Sequence, residues 1–311
     1  MALDPDFRLD RRLLRRRFSR CAERYDGADI LAREIARRMD ERLDYIRITP
    51  RRILDLGCGT GADLLRLAER YPEADLLGLD FALPMLAHCR LRTTPPGSPV
   101  GALVGGLFRR LIGAPPRATP VFAADATALP LPRASVSLAW SNLMLPGLHD
   151  PLPAFREIHR ILEVGGLLMF STLGPDTLRE LRSALPDQHG ERVHRFIDMH
   201  DIGDALVKAG FSDPVMDMEM VTLTYTELDD LFHDLQASGG TNAASSRPRG
   251  LSGKKAWSEA RARYEQLRTA GRLPATFEVI QGHAWKAAAK TTDDGRAVMQ
   301  FHPRAADSPS A

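Results

Sequence analysis

The stretch ILDLGCGTG, residues 53–61, decides the fold because it joins a short apolar strand to a glycine-rich turn. The strand ends at Asp55 and runs into Gly57, Gly59 and Gly61, where a helix begins. Glycines permit a tight turn and let a ligand approach the backbone, and a helix N-terminus offers unpaired amides to a negative group. Dinucleotide-binding folds use similar loops, so the turn alone predicts a ligand site without naming the ligand.

Strand and helix signals alternate outward from this turn. The apolar stretches that predict strands are 51–57, 74–80, 119–125, 134–142 and 167–173, followed late in the chain by 215–225 and 276–286. The helical patterns between them are 61–71, 83–91 and 150–166, and residues 9–45 also read as helical. Strands that alternate with helices of this length are typical of a mainly parallel sheet. The sequence therefore predicts an α/β fold with a doubly wound, mainly parallel seven-stranded sheet.

The same pattern predicts one domain, residues 1–287, and a flexible tail, residues 288–311. Residues 1–50 form an N-terminal helical cap, and residues 226–272 form a second helical cap between the last two strands, over the substrate. Residues 91–120 hold many prolines and glycines and predict a surface insertion with a short amphipathic helix. A contact between this helix and a membrane is a second interpretation.

Composition favours an ordinary cytoplasmic protein. The 311 residues are 44% hydrophobic, enough to bury a sizeable core, and the net charge of +2 does not demand a nucleic-acid partner. No apolar run approaches the roughly 20 residues that span a bilayer, so stable membrane insertion is not expected. The three cysteines, Cys21, Cys58 and Cys89, form neither a disulfide framework nor a metal-ligand pair. We expect no metal.

Two further acids sharpen the ligand prediction. Asp80 ends the second strand, where a carboxylate can accept hydrogen bonds from both hydroxyls of a ribose. Asp125 ends the third strand, where its side chain can meet an adenine amino group. The glycine spacing is G-x-G-x-G rather than G-x-G-x-x-G. A nicotinamide dehydrogenase would use Asp80 but leaves Asp125 unexplained.

With these residues in order, the chain resembles the class I S-adenosylmethionine-dependent methyltransferases, which share its Rossmann-like fold. The motifs that carry the resemblance are DLGCGTG, GLD, ADATALPLP, SNLMLPGL and ILEVGG. It implies S-adenosyl-L-methionine as cofactor, with the glycine loop facing its amino-acid half. The cofactor-binding residues carried over are Asp55, Gly57, Gly59, Gly61, Asp80, Met85, Asp125, Ala126 and Asn142. Packing of Met85 in a helix core is an equal alternative to contact with adenine.

Along nearly its full length the chain resembles the malonyl-[acyl-carrier protein] O-methyltransferases of biotin synthesis. The matching segments are 15–26, 140–151, 171–181, 199–211, DLQASGGTN at 234–242 and 273–286. Two departures are the insertion at 91–120 and the lack of a tryptophan soon after the SNL segment. The resemblance implies methylation of the free carboxylate of malonyl-acyl carrier protein. A methyltransferase of another small carboxylate or quinone, and a hydroxylase or assembly factor that binds the cofactor without methylating, stay open.

Methylation of a carboxylate needs orientation more than acid–base catalysis. A carboxylate with a pKa near ~4 is already ionised at pH 7, so no general base is required. Positioning and exclusion of water can supply the catalysis. We expect a cation or hydroxyl to orient the substrate, and the candidates are Tyr25, Asn142, His149 and an arginine of the cap.

The implied partner, acyl carrier protein, is acidic, and two basic clusters suit it. The first is Arg8, Arg12, Arg15 and Arg16, and the second is Arg247, Arg249, Lys254 and Lys255. Opposite charges on two proteins raise the rate at which they associate, and salt weakens this effect. Neither cluster has the interleaved aromatics of a nucleic-acid site, so no nucleic-acid partner is predicted. A monomer is the favoured oligomeric state.

Overall fold

The computed structural model describes residues 7–94, 119–185, 192–248, 250 and 253–288. Its centre is a seven-stranded sheet of order β3-β2-β1-β4-β5-β7-β6. The strands are β1 Arg52–Leu56, β2 Asp75–Asp80, β3 Val121–Ala123, β4 Val136–Ser141, β5 Leu162–Leu173, β6 Ser212–Tyr225 and β7 Leu273–Trp285. β7 runs opposite to the other strands and is antiparallel to both of its neighbours, β5 and β6. The predicted doubly wound α/β fold is confirmed.

Helices cover both faces of the sheet. They are α1 Arg11–Cys21, α2 Tyr25–Ala28, α3 Ile30–Arg42, α4 Ala62–Arg70, α5 Leu83–Thr93, α6 Leu152–Ile161, α7 Arg179–Ala184, α8 Met199–Ala209, α9 Leu228–Ala237 and α10 Lys254–Glu265. Helices α3, α7 and α9 contribute to one large apolar cluster, which includes Trp140. Helices α6 and α8 contribute to a second large cluster. Central strands are therefore buried on both sides, as in β4, where all six residues are buried.

One predicted helix is too long. The pattern at 150–166 was expected to be helical to its two glycines, but α6 ends at Ile161 and β5 begins at Leu162. Gly165 has a φ of 80°, and the pairing with β4 shifts register here, with Leu162 opposite Val136 and Leu167 opposite Leu138. The glycines therefore belong to an irregular strand, because β4 supplies backbone partners that no local pattern reveals.

The N-terminal helix α1 and the residue before it contact the loop that follows α9. Leu9 pairs with Ala244 as an isolated antiparallel bridge, and the Asp10 amide donates to the carbonyl of Ala243 at 2.9 Å. Arg17 of α1 donates to the carbonyls of Thr241 and Asn242 at 2.8 and 2.6 Å. These contacts join α1 to the loop after α9. We call α1 and this loop (238–244) the roof, because together they connect the two predicted caps.

Helices α9 and α10 lie between β6 and β7, where the sequence placed a cap, although its domain boundaries stay a prediction. Most of the predicted insertion (95–118) and the tail from residue 289 lie outside the described residues, as does Arg249. Within the described ranges, no helix has the length and apolar character needed to cross a bilayer.

Candidate active site

A cavity of about 230 Å³ opens where the carboxyl ends of the parallel strands meet, beneath the roof. One end is walled by the glycine loop and by the residues that follow β2 and β3. The other end is mostly apolar and lies against β6, β7 and α9. The apolar residues that line the cavity include Leu143, Leu148, Leu173, Leu178, Phe196, Leu223, Leu235 and Phe277. Ligands of open α/β sheets bind in this position.

The glycine loop has three left-handed residues that serve different purposes. Gly57, Gly59 and Gly61 have φ values of 85°, 52° and 88°. A Cβ at Gly57 would lie 2.7 Å from the Cβ of Met144, and one at Gly61 would lie 2.7 Å from the Sγ of Cys89. At Gly59 the nearest atom is a ring carbon of Tyr25 at 3.9 Å. Two glycines therefore allow close packing, whereas Gly59 leaves its space to the cavity that it lines.

Asp80 is fixed at the edge of the cavity with its carboxylate bound by backbone amides. The Gly59 amide donates to Oδ2 at 3.1 Å and the Ala82 amide donates to Oδ1 at 2.7 Å. The side chain is 6% exposed, and burial raises the pKa of Asp80 to about 6 despite these amide donors. A carboxylate held in this way can accept hydrogen bonds from ligand hydroxyls, and contact between Asp80 and a ribose stays a prediction.

Asp125 meets the cavity beside the roof. Its Oδ1 accepts from the amide and hydroxyl of Thr127 at 2.9 and 2.8 Å, and its Oδ2 pairs with Arg11 of α1. Partial burial raises the pKa of Asp125, but the bonds from Thr127 and Arg11 outweigh it and leave the pKa lowered. Ala126 and Met85 also line the cavity. Met85 is 1% exposed and packs with Cys21, so it serves the core as well as the cavity wall.

Asp55 lies beneath the glycine loop rather than in the cavity wall. It is 2% exposed, and its Oδ2 has no hydrogen-bond partner. Burial, followed by the charges of Asp63, Cys89 and Asp80, raises its pKa well above the ordinary value. Asp63, which the sequence analysis did not select, accepts hydrogen bonds from Trp140 and Asn142. Direct contact between Asp55 and the cofactor stays a prediction.

The three predicted catalytic residues have different surroundings. Tyr25 lines the cavity, and no described group hydrogen-bonds its hydroxyl; burial, then nearby Asp29 and Asp63, raises its pKa. Asn142 also lines the cavity, but its amide is engaged: Nδ2 donates to the carbonyl of Ala32 at 2.9 Å, and Oδ1 accepts from Ser171 at 2.8 Å. Tyr25 is therefore the better placed donor, because its hydroxyl is uncommitted.

His149 does not line the cavity. Its Nε2 lies 3.4 Å from Nη1 of Arg8, and burial, followed by the Arg8 charge, lowers its pKa. Among the described cavity residues the one arginine is Arg11, which belongs to the N-terminal cap, and no arginine of the 226–272 cap lines the cavity there. Arg247, for example, donates to the carbonyl of Ala244 and pairs with Asp10.

His194, Tyr225 and Asp234 are among the polar residues of the cavity wall that the sequence analysis missed. His194 is 8% exposed, and its ring Nε2 lies 3.2 Å from the carbonyl of Pro146. Burial lowers the pKa of His194 to about 4, so the ring is neutral at pH 7. Tyr225 hydrogen-bonds Asp234, and both line the cavity. Asp234 opens the DLQASGGTN segment, which was recognised as a family motif without a role.

Charge in the cavity is predominantly negative. Asp29, Asp80, Asp125 and Asp234 line it, and the lining cation Arg11 is already paired with Asp125. Such a wall suits a cationic ligand, and S-adenosylmethionine carries a sulfonium and an ammonium group. In the described ranges, no group of three His, Cys, Asp or Glu side chains is arranged to hold a metal ion.

Known proteins agree with this geometry. A family model described as "Methyltransferase domain" matches residues 54–170. Among solved structures, the YcgJ protein of Bacillus subtilis has a TM-score of 0.52 at 12% identity, covering 81% of this chain and 98% of its own. The BH2331 protein of Bacillus halodurans also has a TM-score of 0.52, at 15% identity, covering 80% of this chain and 99% of its own. The family model thus identifies a methyltransferase domain, and the solved structures share its fold.

Two curated relatives narrow the class. Both are named malonyl-[acyl-carrier protein] O-methyltransferase. The protein of Laribacter hongkongensis is 47% identical over 96% of this chain and 98% of its own length. The protein of Gallionella capsiferriformans is 46% identical over 95% of this chain and 97% of its own length. The chain belongs to the malonyl-[acyl-carrier protein] O-methyltransferase family.

Proposed function

We propose that the chain transfers a methyl group from S-adenosylmethionine to the free carboxylate of malonyl-acyl carrier protein, giving the methyl ester that enters biotin synthesis. One observation carries the proposal. The cavity joins an end ringed with carboxylates, which suits the cationic cofactor, to a mostly apolar end beneath the cap, which suits a short acyl chain. The names and full-length coverage of the relatives support the same substrate.

The chemistry asks little of the protein beyond placement. S-adenosylmethionine supplies a methyl group on a positively charged sulfur, so transfer breaks a sulfur–carbon bond and forms a carbon–oxygen bond on the carboxylate. The residues of the cavity need only hold and desolvate an already ionised acid. His194, with a pKa of about 4, stays neutral at pH 7, and the raised pKa of Tyr25 keeps its proton on the hydroxyl.

Tyr25 is the group that we assign to the substrate carboxylate. Its ring lies 3.9 Å from the position that a Cβ would take at Gly59, beside the cofactor loop. Its hydroxyl is a protonated donor without a partner among the described groups. The roof of α1 and the loop after α9 covers this end of the cavity and limits access of water.

Tyr25→Phe should therefore lower turnover by about tenfold or more and leave cofactor affinity within about threefold. The variant removes one hydrogen bond to a charged group, which contributes roughly 1.5–3 kcal/mol. Steady-state kinetics with a malonyl thioester, paired with calorimetry of S-adenosylhomocysteine binding, measures both quantities. Equal turnover in the folded variant would remove Tyr25 from the substrate site.

Carrier docking is assigned to the outer face of α1. The inner face of this helix lines the cavity through Arg11, Leu14 and Phe18, whereas Arg12, Arg15 and Arg16 are exposed. A carrier bound to these arginines would stand beside the cavity. The second basic cluster is less suitable, because Arg247 is half-buried and paired with Asp10.

Reversing Arg12, Arg15 and Arg16 to Glu should raise the Michaelis constant for malonyl carrier protein by about tenfold at low salt. Opposite charges that steer association lose their effect when one partner changes sign. Steady-state kinetics at two salt concentrations measures this constant. Kinetics on a short malonyl thioester should change little, since no carrier is involved.

Lys254→Glu with Lys255→Glu, on exposed positions of α10, is the matched control with the same kind of charge change. If this control raises the constant and the α1 variant does not, carrier docking belongs to the cap instead.

The direct test of the reaction is intact-mass measurement after the protein is mixed with S-adenosylmethionine and malonyl carrier protein. A gain of one methyl group on the malonyl carrier is expected. Succinyl carrier protein and free malonate serve as comparison substrates. A gain of oxygen, or a methyl group only on a free metabolite, would reject the proposal in favour of the hydroxylase or small-metabolite alternative.

A further inference from the structure

Asp26 stands at the centre of a closed set of polar contacts outside the cavity. The hydroxyl of Thr60 donates to its Oδ1 at 2.6 Å, and Arg92 forms an ion pair with its Oδ2. Arg92 also donates to the Thr60 hydroxyl at 2.9 Å, so the three side chains bond one another. Thr60 lies between Gly59 and Gly61 in the cofactor loop. The contacts therefore tie this loop to α2 and α5.

Helix α2 needs such contacts to keep its place. It has four residues, none of them fully buried although Tyr25 is partly so, and no side chain caps its N-terminus. A single helical turn is not stable in isolation, because the entropy lost when its backbone is ordered outweighs the hydrogen bonding gained. Tyr25 is its first residue and projects into the cavity, while the neighbouring Asp26 reaches Thr60. The position of the Tyr25 hydroxyl thus depends on what anchors Asp26.

We propose that Asp26 is a positioning residue for methyl transfer: by binding Thr60 and Arg92 it fixes Tyr25 over the cofactor loop. The assignment rests on the proposed function of Tyr25. Asp26, Thr60 and Arg92 do not line the cavity, so none of them touches the substrate through it. The Asp26 and Arg92 side chains are 46% and 27% exposed, and ion pairs this exposed contribute little to global stability. Loss of Asp26 should therefore affect placement more than folding.

A double-mutant cycle separates positioning from a general structural role. Asp26→Ala should lower turnover of a malonyl thioester by about tenfold and change S-adenosylhomocysteine affinity by less than about threefold. In the Tyr25→Phe background, Asp26→Ala should lower turnover by less than about twofold, because the group it positions is gone. Independent, multiplying losses would overturn the proposal. So would a loss of cofactor affinity as large as the loss of turnover.

Hydrogen exchange gives a readout that does not depend on the reaction. Asp26→Ala should speed amide exchange over residues 25–29, whereas Asp217→Ala should leave it unchanged. Asp217 forms a comparably exposed ion pair with Arg42, away from the cavity. Unchanged exchange in Asp26→Ala would reject the positioning role even if the wild type methylates malonyl thioesters. Faster exchange in a chain that does not methylate them would instead reject the proposed function.

Thr60→Val with a Thr60→Ser counterpart keeps the proposal testable if Asp26→Ala does not fold. Valine removes the hydroxyl and should reproduce the loss of turnover, whereas serine keeps the hydroxyl and should restore turnover to within about threefold of the wild type. Equal turnover of the valine and serine variants would overturn the proposal.

Discussion

Gly59→Val should reduce cofactor affinity by about a hundredfold or more, the largest effect that the structure predicts. The glycine has a φ of 52°, and the space in front of it is bounded by Tyr25 and otherwise open to the cavity. A valine side chain would occupy the place where a ligand approaches the backbone, and its β-branched carbon resists positive φ. Calorimetry with S-adenosylhomocysteine measures the loss directly.

The matched control is Gly271→Val, because strain and ligand exclusion must be separated. Gly271 has a φ of 75° with no atom near its missing Cβ, and it lies outside the cavity wall. Both variants carry the backbone cost of a left-handed valine, so both should melt at a lower temperature than the wild type. Only Gly59→Val should lose the ligand. Wild-type affinity in a folded Gly59→Val protein would show that no ligand contacts this loop.

The cofactor end of the site was predictable from sequence because its signals are local. A strand, three glycines and a helix follow one another within the loop, and Asp80 and Asp125 each end a strand. Parallel strands place such ends along one edge of the sheet. The reasons for two of the glycines were not predictable. Gly57 packs against Met144 and Gly61 against Cys89, contacts that join distant parts of the chain.

The substrate end was harder to predict, because nothing local marks it. His194 lies in the segment before α8 and Asp234 lies in α9, and only the tertiary structure brings both to the cavity. His149 was a candidate for the substrate site because it follows β4, but its side chain lies beside Arg8. The segment 234–242 was matched to the family without a role, and the structure shows that several of its residues, Asp234 among them, line the cavity.

The strand error at 162–166 has a similar origin. Leu162 extends the apolar stripe of α6, so helical periodicity alone favours continuing the helix to Gly165. Its pairing with Val136 of β4 overrides that pattern. The local pattern of apolar residues contains no information about a partner strand that lies elsewhere in the chain.

Asp80→Asn should weaken cofactor binding by about ten- to a hundredfold at pH 7. We expect Asp80 to accept hydrogen bonds from ligand hydroxyls, and a charge-assisted hydrogen bond contributes roughly 1.5–3 kcal/mol. Asparagine keeps the shape and one oxygen acceptor but loses the negative charge, which also attracts the cationic cofactor. Calorimetry with S-adenosylmethionine and with S-adenosylhomocysteine measures the hydroxyl and charge contributions. The loss should be larger for the cationic ligand.

The pH dependence gives this assignment a second test. The pKa of Asp80 in the free protein is about 6, so wild-type affinity should fall about tenfold between pH 7 and pH 5 as the carboxylate becomes protonated. His194, with a pKa of about 4, does not change charge in that window. The affinity of Asp80→Asn should depend much less on pH, and Asp55→Asn tests the contribution of Asp55, another carboxyl whose pKa is raised.

As pH falls from 7 to 5, the contribution of Asp80 should raise the melting temperature of the free protein while cofactor affinity falls. A loss of affinity can therefore be distinguished from acid unfolding. A carboxyl whose pKa is raised on folding disfavours the folded state above its unfolded pKa near 3.8, and this cost diminishes as pH falls through 6. Asp80 therefore contributes a rise in the melting temperature of the free protein between pH 7 and pH 5, while cofactor affinity falls. The difference between wild type and Asp80→Asn isolates that contribution, because the asparagine cannot titrate. A wild-type affinity that is level across this range, together with an Asp80→Asn protein that binds S-adenosylmethionine normally, would place the ribose on another residue.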